Sequence, residues 1–164
     1  MATGNHTYHQ KEVAYFEGLV VNGVRSDTGI VSVTNADTTL LAADSGKPHL
    51  VADVSADRTF TLPAPAAGLV FEFMATLPAA DGHDWIITTG SDTNYFVGGV
   101  IHLDDDAAAA GDEIVRVQPD GDSNSKLQVN LPGGGTWIKM VCTGTLWCVT
   151  GVVSSATAPA FADQ

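Results

Sequence analysis

Basic residues are scarce in this sequence. Seven Lys and Arg stand against nineteen Asp and Glu, for a formal net charge of −12. That balance argues against a cationic surface that grips nucleic-acid phosphates and against adhesion to an anionic membrane. Charge of either sign is thin: 16% of residues are charged, against roughly 25% in an ordinary soluble domain. No apolar run approaches the roughly 20 residues of a spanning helix. The opening run, Met1 to His6, lacks the basic and apolar regions of a signal peptide, so synthesis in a cytoplasm is expected. Cysteine is limited to Cys142 and Cys148, too few for a disulfide scaffold. In a tight hairpin over Thr143-Gly144-Thr145, Cys142 would face residue 145 or 146 and Cys148 would face 139 or 140. Two reduced, partly buried thiols are therefore expected.

Helical periodicity is missing too, while strand patterning is abundant. Phe60 and Leu62 alternate with Thr59 and Thr61. Leu127, Val129 and Leu131 alternate with Lys126, Gln128 and Asn130. Ile138, Met140 and Cys142 share a face opposite Trp137, Lys139 and Val141. A period of two is that of a sheet with one buried face. Strands are expected at 13–21, 30–34, 38–41, 49–54, 58–62, 69–76, 84–89, 95–103, 112–118, 126–131, 136–142 and 145–153. Short connections rich in Gly, Asp, Asn and Pro separate them. The one helix candidate is a turn over 104–111, with an acidic start and a terminal Gly. The expected fold is all-β: an antiparallel β-sandwich or jelly-roll-like domain over 13–153. An N-terminal arm covers 1–12, and the Ala- and Ser-rich 154–164 reads as a flexible C-terminal tail.

Catalytic patterns are lacking. Asp44-Ser45-Gly46-Lys47 has neither the nucleophile elbow of a hydrolase nor the Gly-rich turn of a phosphate loop, and reads as a tight turn. Asp120-Gly121-Asp122-Ser123-Asn124 begins like a calcium loop, but Ser125 stands where its Gly belongs and Leu131 where its Glu belongs. The acids Asp104, Asp105, Asp106, Asp112 and Glu113 read as a solvated loop. Five histidines, His6, His9, His49, His83 and His102, are scattered without Cys or Ser partners. No catalytic residue, metal ligand or cofactor site is assigned, and a carboxylate-pair hydrolase is the weakest reading. Trp147 reads as core. Trp85, Tyr95 and Trp137 are candidates for an exposed aromatic platform.

Two stretches carry a resemblance. One runs from Leu40-Leu41-Ala42-Ala43-Asp44-Ser45-Gly46-Lys47 through Asp57-Arg58-Thr59-Phe60-Thr61-Leu62-Pro63 to Gly68-Leu69. The other runs from Trp137 to Cys142 and on through Gly144-Thr145-Leu146-Trp147-Cys148-Val149-Thr150-Gly151. Together, over 38–76 and 136–152, they resemble small β-rich virion proteins of tailed bacteriophages, above all capsid decoration (cement) proteins. The resemblance implies a non-enzymatic protein made in the host bacterial cytoplasm and carried on the capsid surface of the virion. Its implied partners are the major capsid protein and itself, as a homotrimer, with no nucleic acid and no membrane. Capsid contacts are expected at Tyr8, His9, Tyr15 and Phe16. The alternative is a tail-fibre or receptor-binding module that binds carbohydrate.

Overall fold

The computed structural model describes residues 19–21, 24–26, 29–106 and 114–164. Its regular elements are strands, with a single 3-10 turn at Ala42–Asp44. The strands are β1 (Leu19–Val21), β2 (Val24–Ser26), β3 (Val31–Ser32), β4 (Thr38–Thr39), β5 (Pro48–Val51), β6 (Arg58–Thr61), β7 (Val70–Ala75) and β8 (Trp85–Thr88). They continue as β9 (Phe96–Gly98), β10 (Val100–Asp104), β11 (Ile114–Val117), β12 (Lys126–Val129), β13 (Trp137–Cys142), β14 (Trp147–Ser155) and β15 (Ala160–Ala162).

Two mixed sheets make an all-β sandwich. The larger runs β11-β10-β14-β13-β7-β5-β3, with β9 also on β14; the smaller runs β15-β12-β8-β6-β4. From β3 to β8 the chain alternates between the sheets, so each strand pairs with the one two places on, in parallel. A parallel pair needs a crossover connection, usually a helix. Here the crossover is itself a strand of the facing sheet. Two further parallel pairs join β9 and β10 to β14. This corrects the antiparallel expectation: the C-terminal half is largely antiparallel, and the β3–β8 coil is not.

Alternation turns one face of each sheet inward. Phe71, Phe73, Ile138, Met140 and Val149 from the larger sheet meet Phe60, Ile87, Leu127 and Val129 from the smaller in one core. Phe60 and Phe73 stack across the gap, with ring centroids 6.1 Å apart. Such aromatic pairs add about 0.5–1.5 kcal/mol beyond area burial.

The C-terminus departs from the expected flexible tail. Ser154 and Ser155 complete β14, and Ala160–Ala162 pair antiparallel with β12. Phe161 anchors this last strand against Phe96, centroid to centroid 6.0 Å. The expected strand 95–103 is broken into β9 and β10 at Gly98 and Gly99, both at positive φ. The helix candidate is only partly described: Asp104 closes β10, and 107–113 lie outside the described residues.

Candidate functional site

Several polar side chains hold turns and strands in place. Ser45 Oγ accepts the Val70 N–H at 2.9 Å, and Lys47 pairs with Asp44 at 3.0 Å. The Asp44–Lys47 segment is thus a pinned turn, as its composition suggested. Asp81 is buried. Its carboxylate accepts the N–H groups of Val54 at 3.0 Å and His83 at 3.1 Å. His83 Nδ1 reaches Val54 O at 2.8 Å, and His102 Nε2 reaches Ser155 O at 2.9 Å.

The Asp120 loop closes on itself. Asp120 Oδ1 accepts the N–H groups of Asp122, Ser123 and Asn124, while Oδ2 accepts the Ser123 hydroxyl. The Ser123 hydroxyl first, then these N–H groups, hold the Asp120 carboxyl far below the usual carboxylate range. Its oxygens are therefore occupied within the loop. Among the described residues no group of three or more His, Cys, Asp or Glu converges. One open cavity, about 280 Å³, lies beside this loop between Asp92, Tyr95, Ser123, Asp163 and Gln164.

The thiols are free, Cys142 buried and Cys148 exposed. They stand on opposite faces: Cys142 registers with Trp147, and Cys148 with Val141 rather than 139 or 140.

The proposed aromatic platform does not assemble. Trp85 is fully buried, as is Trp147. Trp85 points inward with Ile87 because Ile86 takes the outward position of β8. Tyr95 and Trp137 are half-buried. Trp137 stands on the outer face of β13 and donates from Nε1 to Glu72 Oε1 at 2.5 Å. The capsid-contact candidates Tyr8, His9, Tyr15 and Phe16 lie outside the described residues.

His49 is buried in surroundings that oppose its charge. Its ring lies 5.3 Å from Phe71 and 5.6 Å from Phe73. Nδ1 donates to Lys47 O at 2.9 Å, which leaves Nε2 buried with no partner. Burial lowers its pKa below 6.5, partly offset by the Lys47 carbonyl. A base depressed in the folded state binds its proton first in the unfolded chain. Stability contributed by neutral His49 is therefore complete above about pH 6.5 and is lost as pH falls from there to the folded-state pKa. Urea midpoints between pH 8 and pH 5 should show a steeper acid-side loss for the native chain than for His49→Phe. Equal slopes would remove His49 as the cause.

Compared with family models, with curated proteins and with solved structures, the chain matches none.

Proposed function

We propose that this chain is a structural virion protein: a capsid decoration (cement) protein that binds the outer surface of a phage head as a trimer and ties neighbouring capsid subunits together. The observation that supports this most directly is where the two resembling segments lie. Residues 38–76 and 136–152 are far apart in sequence, yet β7 and β13 are antiparallel neighbours, from Trp137 opposite Met74 to Val141 opposite Val70. The likeness therefore covers four adjoining strands of the larger sheet, β5, β7, β13 and β14, together with β4 and β6 of the smaller, rather than two unrelated runs. The internal use of Ser45, Asp81, His83, His102 and Asp120 favours a scaffold over a catalyst.

In this reading the acidic loops face solvent and keep the particle soluble, and the arm at 1–12 adds contacts on a neighbouring capsid subunit. Several arms on one trimer bind together, so weak contacts sum through effective concentration. Purified chain should bind undecorated phage heads. Deleting residues 2–12 should weaken that binding at least tenfold, about 1.4 kcal/mol or more. Unchanged affinity in the deletion would remove the arm from the contact, and failure of the full chain to bind heads would remove the function. Glycan binding that vanishes in Trp137→Ala would instead favour the receptor-binding module.

A further inference from the structure

We infer that the outer face of the larger sheet, centred on Trp137, is the surface through which a second copy of this chain docks. The inference rests on the self-association in the function proposed above and assigns it a place. The registers line up one row of outward side chains across five adjacent strands: Leu50, Met74, Trp137, Val152 and Ile101. Leu103, outward on the same strand as Ile101, stands in the next row, beside Ser154. Met74 is 39% exposed, and Ile101 and Leu103 are each 36% exposed. Half-buried Trp137 and Val152 fill the two strands between Met74 and Ile101, so the apolar row is continuous. A contiguous apolar patch of this kind marks an interaction site.

Charge selects the occupant. Among the described residues, the outward positions of this sheet's paired strands carry one acid, Glu72, and two bases, Lys139 and Arg116. Lys139 stands directly opposite Glu72, and Trp137 Nε1 donates to the same carboxylate. Asp105, which accepts the outward Ser154 hydroxyl at 2.9 Å, brings the count to two acids and two bases, so the face is neutral on a chain of net charge −12. Two copies meeting through acid-rich loops would repel, since like charges oppose approach. Two copies meeting here escape that repulsion and bury apolar rows.

Size fits as well. Seven strands about 4.8 Å apart and three outward rows about 7 Å apart give a flat area of about 700 Å². The accessible area of a corrugated face is larger, close to the roughly 800 Å² per partner of a stable interface. The outermost strand supports the same edge. Ile114 and Val115 of β11 are 72% and 43% exposed, on opposite faces of the strand. Among the described residues nothing pairs with the outer edge of β11, and an open apolar edge is a liability unless something covers it.

The test is solution mass of the full chain by sedimentation. At about 10 µM, within the range that interfaces of this size reach, the native chain should sediment at a multiple of its 17.0 kDa chain mass. Met74→Glu with Ile101→Glu should reduce it to the mass of one chain, with an unchanged far-ultraviolet circular dichroism spectrum. Should the pair fail to fold, Met74→Gln alone should weaken association at least tenfold. Leu41→Glu, at an apolar position 63% exposed and off this face, should leave the mass unchanged. A monomeric native chain overturns the inference, as does an oligomer that survives the face substitutions or dissociates in Leu41→Glu. Head binding is scored separately. Self-association lost with the face in a chain that never bound heads supports this interface and removes the decoration function. Head binding lost while the oligomer persists makes the face a capsid contact and overturns the inference.

Discussion

Truncating Phe73 to alanine should destabilise the fold by about 3–5 kcal/mol, the range for deleting a fully buried aromatic ring. Phe73 sits on β7, between β13 and β5, and is wholly buried. Its ring stacks on Phe60 of the facing sheet and lies 5.6 Å from His49. Removing it leaves a cavity at the place where the two sheets touch, and neither sheet can close the gap without moving its strand ladder. A typical domain is stable by only about 5–15 kcal/mol, so the loss would be a large share of the total. The control is one residue along. Met74 points outward, and Met74→Ala should cost less than about 1 kcal/mol in the monomer, because surface changes rarely cost more. Urea midpoints of the two variants, read below the association concentration, make the comparison. Equal losses would mean that the inward and outward faces of β7 are misassigned.

That inward–outward assignment was readable from residues alone. Alternation located β6, β7, β12 and β13 to within one or two residues of where they lie. The same parity would have placed Trp85 inside with Ile87, but its position beside a turn suggested an open face. Strand order was not readable. A period of two describes parallel and antiparallel strands equally, so nothing in Thr59-Phe60-Thr61-Leu62 indicates that β6 pairs in parallel with both β4 and β8. The last strand was hidden by composition: Ala, Ser and Thr around it read as linker, and Phe161 was the only residue that signalled an anchor. The role of Asp81 was hidden for another reason. Its partners are the N–H groups of Val54, from another turn of the chain, and His83. Backbone N–H groups leave no trace in side-chain spacing. The surface that best suits a partner was also hidden, because its row forms only when β5, β7, β13, β14 and β10 come into register.

Gly98→Ala should be strongly damaging to the larger sheet, with a loss of about 2–5 kcal/mol from combined backbone strain and overpacking. Gly98 has φ +99, and a Cβ built there would lie 2.3 Å from Val149 O. That oxygen accepts the Gly99 N–H at 3.0 Å, so it belongs to the ladder and cannot turn away like a side chain. Gly98 is also where the chain steps from β9 to β10 while both remain paired to β14. Its own carbonyl accepts Arg116 Nη2 at 3.2 Å, which ties the step to β11. A methyl group here must therefore push β9 and β10 away from β14, and Ile101 leaves its place beside Val152. Gly121→Ala separates the two causes of loss. Gly121 has φ +89 with nothing within 4 Å of a built Cβ, so it carries the backbone strain without the clash and should cost about 1–2 kcal/mol. Urea unfolding of both variants should show Gly98→Ala losing clearly more. Sedimentation should also show weakened self-association in Gly98→Ala and none in Gly121→Ala. Equal losses would mean that β14 gives way at Val149 and that the close approach of β9 to β14 is not what requires glycine there.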